Sequence, residues 1–115
     1  MKTFIKVMKA LSDPNRVKII KMLQHKIMCV CEIQKALRVS QPAVSKHLKL
    51  LEDAGLVDFN KEGLWVNYHL TDGMSNPYVA SLLGNLKHWI EDDKEIAGLI
   101  ERLPAIRRED ICKSK

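Results

Sequence analysis

The chain has 115 residues, 46% of them hydrophobic, with 19 Lys and Arg against 14 Asp and Glu, for a formal net charge of +5. That length supports one domain with its own core; no run approaches the ~20 apolar residues that span a bilayer, and Lys2, Lys6 and Lys9 interrupt anything resembling a signal peptide. Three cysteines, two of them separated by one residue, exclude a disulfide framework and point to a reduced, cytoplasmic protein whose thiols are open to metal or redox chemistry.

Phe4, Val7, Met8 and Leu11 recur at helical spacing and predict a first helix over residues 3–11. Ser12-Asp13-Pro14 ends it and starts another, with a capping side chain followed by proline at the first helical position. Val17, Ile20 and Leu23 give this second helix its buried stripe, to about Gln24. A third is expected from Cys29 to Leu37, with Val30, Ile33 and Leu37 inward. After the turn at Arg38-Val39, Ser40 caps a fourth helix reaching Ala54, and Gly55 stops it.

Val57 to Asn60 and Leu64 to Leu70 read as the strands of a hairpin around Lys61-Glu62-Gly63. Asn76-Pro77 opens a long last helix to about Leu103, where Pro104 halts it. Its apolar positions, from Val79 to Leu103, exceed what one small core absorbs, so some are expected to bury against a second copy together with the first helix. The expected class is mainly α with a small β-hairpin (α+β), a winged helix-turn-helix. One DNA-binding and dimerisation domain covers residues 1–103, followed by a flexible charged tail, 104–115.

The charge is uneven. Residues 1–75 hold 12 basic and 7 acidic side chains, residues 76–115 hold 7 of each. The positive field therefore belongs to the part carrying the fourth helix, which suits a polyanionic partner. On that helix, at ~100° per residue, Val44, Leu48 and Leu51 share one face, while Pro42, Ser45, Lys46 and Lys49 lie opposite. Short polar groups near the helix start, followed by lysines, are what the major groove requires: small side chains at base edges and cations on phosphates. Ser40 and Gln41 extend the polar end, His47 flanks the apolar stripe, and Lys61 is the basic residue of the hairpin. For His47, core packing and a DNA contact are equally open.

These runs carry a resemblance. Leu11-Ser12-Asp13-Pro14-Asn15-Arg16, Cys29-Val30-Cys31-Glu32-Ile33, Ser40-Gln41-Pro42-Ala43-Val44-Ser45-Lys46-His47-Leu48, Ala54-Gly55-Leu56-Val57 and Glu62-Gly63-Leu64-Trp65-Val66-Asn67-Tyr68 together resemble the ArsR/SmtB family of metal-responsive repressors. The resemblance implies a homodimer with two recognition helices on an imperfect inverted repeat, released when an effector binds, and needing no cofactor to bind DNA. Where the family often carries a basic wing residue this chain has Leu64, leaving Lys61 as the wing's cation.

Thiolates select thiophilic ions over Mg(II) and Ca(II). In arsenic sensors of this family the third helix carries a run of the C-V-C-D-L-C type. Cys29 and Cys31 match it, and Gln34 stands where the third cysteine would be. As(III) and Sb(III) are therefore the expected effectors, ahead of Cd(II) and Zn(II). The third ligand is Cys112 of the same or partner subunit, or an exchangeable group beside two sulfurs. On a helix Cys29 and Cys31 would project about 200° apart, so closing on one ion is expected to unwind that turn. The family's zinc site on the last helix is only half present: His88 and Glu91 fit, but Ser75 and Pro77 stand where ligands are needed. Glu91, Asp92, Asp93 and Glu95 read as a solvated acidic face.

Other classes compete. A repressor of the same fold sensing oxidation or persulfide would use the same thiols. A winged helix serving protein contacts would lack the cationic face of Lys46 and Lys49. A thiol enzyme of the arsenate-reductase kind needs Cys-x5-Arg, but Leu37 follows Cys31 at that spacing and no arginine follows Cys112.

Overall fold

The structure, a computed structural model, describes residues 1–74 and 76–107. Its elements are α1 (Lys2–Ala10), α2 (Pro14–Leu23), β1 (Met28–Cys29), α3 (Val30–Leu37), α4 (Gln41–Asp53), β2 (Val57–Glu62), β3 (Trp65–Leu70), α5 (Pro77–Leu86) and α6 (Lys94–Arg102), closed by a 3-10 turn at Leu103–Ala105. This is a winged helix-turn-helix. Among the described residues no helix is long and apolar enough to cross a membrane.

Local chemistry sets most boundaries. Asp13 Oδ1 accepts from the amides of Asn15 (2.8 Å) and Arg16 (3.3 Å) at the start of α2, and Ser40 Oγ from that of Ala43 (3.3 Å) at the start of α4. Asn76 Oδ1 does the same for Val79 (2.8 Å) in α5. Between α3 and α4, Arg38 takes the left-handed conformation at φ 60°, and Gly55 does so after α4 at φ 83°. In the wing Glu62 pairs with Trp65, so the turn is Gly63-Leu64 rather than Lys61-Glu62-Gly63. Gly63 at φ 61° meets the positive-φ requirement of such two-residue turns.

Two elements differ from expectation. The third helix does not begin at Cys29: Met28 and Cys29 form a short strand opposite Tyr68 and Asn67 of β3, giving an antiparallel sheet in the order β1-β3-β2. The last helix is not continuous: it breaks after Leu86 and resumes at Lys94, capped by Asp93, whose Oδ1 accepts from the Ile96 amide at 3.1 Å. The break lets α6 fold back on α2, so most of the apolar positions thought surplus are buried within one copy: Leu83, Leu86, Ile96, Leu99 and Leu103 are all in the core.

Lys21 holds the break. It is completely buried in α2, and its Nζ donates to the carbonyls of Leu86 (2.7 Å) and Trp89 (3.1 Å) and lies 3.3 Å from Glu91 Oε2. These bonds satisfy carbonyls orphaned at a helix end, next to Ile90 at φ 53°, a costly conformation for a β-branched residue. The acidic run is thus not simply a solvated face: Glu91 neutralises Lys21, Asp93 caps α6 and Glu95 pairs with Lys18 at 3.2 Å. Beyond the expected boundary at residue 103, Ile106 is buried and its carbonyl accepts from Lys26 Nζ at 2.6 Å. Residues 108–115, which include Cys112, lie outside the described residues.

Candidate nucleic-acid interface and thiol site

Val44, Leu48 and Leu51 are the buried face of α4, each at most 1% exposed, and Ser40, Gln41, Pro42, Ser45, Lys46 and Lys49 are all exposed. This helix therefore presents the polar-then-basic face read from its sequence. Lys49 Nζ sits 3.3 Å from Asp53 Oδ1 one turn on, an exposed pair of little energetic weight. Lys61 is exposed on β2, and Leu64 projects from the wing tip at 94% exposure.

His47 is half-buried, with Nδ1 3.2 Å from Arg16 Nη1. A guanidinium only donates, so in this contact Nδ1 accepts and Nε2 carries the ring proton. Arg16 also donates through Nε to the Ala10 carbonyl (2.7 Å) and through Nη2 to that of Lys9 (3.3 Å). One guanidinium thus ties α1, α2 and α4 together.

Cys29 is buried and extended (φ −89°, ψ 170°), in the N-cap position of α3, while Cys31 is half-exposed inside its first turn. The expected 200° separation does not apply, because only one of the two residues is helical. Their spacing alone therefore does not demand that a helical turn unwind.

The neighbour that matters is Glu32. It is 6% exposed, its Oε1 accepts from the Cys29 amide (2.9 Å) and its Oε2 lies 3.4 Å from Lys26 Nζ. Burial first, and then the Glu32 carboxylate, push the Cys29 thiol up from its ordinary value, against the lowering effect of the Glu32 amide that faces the sulfur. Cys29 is therefore held as the neutral thiol. Lys26 also binds the Ile106 carbonyl, so Cys29, Glu32, Lys26 and the end of the packed chain form one polar series.

Both thiols open onto a cleft of about 590 Å3, whose other walls include Val30, Gln41 at the start of the recognition helix, and Glu62 to Val66 of the wing. The cleft brings the reading helix, the wing and the cysteines to one place. Among the described residues no three of His, Cys, Asp and Glu gather as a set able to hold a metal ion. His88 is exposed and Glu91 is turned to Lys21.

Residues 13–58 match the family model described as bacterial regulatory protein, arsR family. The chain is 43% identical over 67 residues to an uncharacterized HTH-type transcriptional regulator, MJ1325, of Methanocaldococcus jannaschii, covering 57% of this chain and 75% of that one. It is 41% identical over 68 residues to the arsenical resistance operon repressor of Escherichia coli, covering 58% of each. Among solved structures, the homodimeric winged helix-turn-helix DNA-binding domain Mb0332 of Mycobacterium bovis superposes with a TM-score of 0.63 at 26% identity, covering 75% of this chain and 76% of that one.

Proposed function

The chain belongs to the arsR family of bacterial regulatory proteins, a regulator and not an enzyme, and from that premise we propose that it is a homodimeric repressor which leaves its operator when Cys29 and Cys31 capture As(III) or Sb(III). Cd(II) and Zn(II) rank behind them. DNA binding itself uses no cofactor. Ser40, Gln41, Pro42, Ser45, Lys46, His47 and Lys49 face the major groove, and Lys61 of the wing meets phosphate. The E. coli relative, a repressor of an arsenical resistance operon, supports this reading.

The observation that carries it is the position of Cys29, which pairs with the wing strand and also starts the helix before the recognition helix. Cys31 is the accessible thiol and engages arsenite first. Each As–S bond replaces an As–OH bond, and the thiol proton leaves with the hydroxide as water. Recruiting Cys29 then draws its sulfur from the Glu32 amide and loads the β1–β3 pairing. Wing and recognition helix shift together, and a coupling of a few kcal/mol suffices to release DNA. The third position on arsenic is filled by Cys112, from the same or the partner subunit, or by an exchangeable hydroxide.

The dimer forms through the first and last helices. Phe4, Ile5 and Met8 of α1, Tyr78 of α5, and Trp89 and Ile90 after it remain exposed, and the Phe4 and Tyr78 rings meet edge to face at 5.3 Å. Residues 1–103 carry DNA binding and dimerisation, 104–115 form the tail, and a reducing cytoplasm suits the thiols.

The test is a gel-shift titration of operator DNA with arsenite, antimonite, cadmium, zinc and peroxide on wild type and on Cys29→Ser, Cys31→Ser and Cys112→Ser. Arsenite releases wild type and fails on the first two variants. Release by peroxide alone would replace this reading with the redox-sensing one.

A further inference from the structure

The cleft at the two thiols is larger and more apolar than an inorganic ion requires. Its ~590 Å3 compare with ~150 Å3 for an aliphatic cavity that takes a benzene ring. Beside Cys29 and Cys31 its walls are mainly Val30, Leu64, Trp65 and Val66, with Gln41 and Glu62 at the polar edge. The thiols number two, and no His, Cys, Asp or Glu among the described residues completes a three-ligand set with them.

Two sulfurs fit a particular class of ligand. Trivalent arsenic makes three bonds. When one is already to carbon, two remain, and two thiols complete the shell without a third protein ligand. Resting on the arsenic-sensing reading above, we propose that this cleft binds monosubstituted trivalent arsenicals, the thiols taking the arsenic and the apolar wall taking its organic group. The exchange is R–As(OH)2 plus two thiols giving R–As(S)2 plus two waters. Both As–O bonds break as As–S bonds form, each thiol proton leaves with a hydroxide, and arsenic stays trivalent with its carbon bond intact. No oxidant or reductant takes part. The reactant is uncharged, which suits an edge carrying Glu62 and a Cys29 held neutral beside Glu32.

The occupied cleft has a direct effect on the DNA-facing surface. Gln41 begins the recognition helix and Leu64 is the wing tip, so an organic group lodged between them bears on both. An inorganic ion at the sulfurs lacks that reach.

The experiment titrates hydrated phenylarsine oxide and sodium arsenite into the full chain, wild type and Cys112→Ser, and follows tryptophan fluorescence, residual free thiols and operator release. The phenyl compound is expected to consume two thiols in both proteins and bind at least about tenfold more tightly than arsenite, from burial of the ring. Leu64→Glu, at a position too exposed to affect folding, and Val66→Trp, which fills the cleft, should each erode that preference while leaving arsenite affinity within about twofold. Arsenite binding as tightly as the phenyl compound, or both variants weakening the two ligands equally, would overturn the proposal. If neither compound consumes thiols, the arsenic-sensing reading falls, and this one with it.

Discussion

Cys29 stands opposite Asn67 in the ladder between β1 and β3, so a thiol proposed to sense and a strand proposed to touch DNA belong to one sheet. Asn67 Nδ2 in turn donates to Glu62 Oε1 at 3.3 Å, near the wing tip. Effector capture should therefore appear first as lost protection of the Tyr68 and Asn67 amides, while the core face of α4 at Leu48 and Leu51 stays protected. Hydrogen exchange with and without arsenite reads this. Faster exchange on α4 with an unchanged β3 would point to coupling through α3 alone.

Glu32→Gln keeps an acceptor for the Cys29 amide and removes the charge. The Cys29 thiol should become more acidic, and its alkylation near neutral pH correspondingly faster. The loss of the Lys26 partner costs about 1 kcal/mol. Because the folded-state value of Cys29 lies above its ordinary 9.0, the unfolded chain ionises first. Stability is full below pH 9.0 and falls as pH rises through the folded value. Tyr68, raised chiefly by its burial, adds to the same alkaline loss. Cys29→Ala should flatten part of that decline in denaturant titrations run from neutral to alkaline pH.

Replacing Lys21 by Met preserves most of its volume and strands the carbonyls of Leu86 and Trp89. An expected loss of about 3 kcal/mol follows from leaving buried acceptors and Glu91 without their partner, read as a lower denaturant midpoint. The dimer should also weaken, because Trp89 and Ile90 lose the bonds that set their loop.

The sequence made α4 legible because Val44, Leu48 and Leu51 keep a strict helical period between a capping Ser40 and a stopping Gly55. The same local logic failed at β1: a strand of two residues exists only through Tyr68 and Asn67, far along the chain. It failed again in the last helix, where the apolar period from Val79 to Leu103 runs unbroken through a real gap. Asp93, a capping residue ahead of a renewed apolar period, was the available signal. Lys21 gave none, since a buried lysine is defined by the carbonyls that surround it.

On DNA, Lys46→Ala and Lys61→Ala should each weaken binding and reduce the salt slope by about one. Asp53→Asn should act in the opposite direction, freeing Lys49 from its 3.3 Å partner, with a modest gain in affinity at low salt. Fluorescence anisotropy across a salt series measures all three.

Gly73, at φ 77°, has no space for a side chain: an added Cβ would lie 2.7 Å from the Ala80 Cα. Gly73→Ala should cost about 2 kcal/mol or more through backbone strain and the forced shift of α5, seen as a lowered Tm.

The Arg16 fork has a bearing on operator architecture. It fastens α1, part of the proposed dimer face, to His47 of the recognition helix through a planar group with little play. In the dimer, the span between the two reading helices is then fixed inside each protomer. One base pair inserted between half-sites moves them apart by about 3.4 Å and turns them by roughly 35°, a mismatch this brace cannot absorb. Operators of this protein should therefore tolerate changes in base sequence far better than changes in spacing.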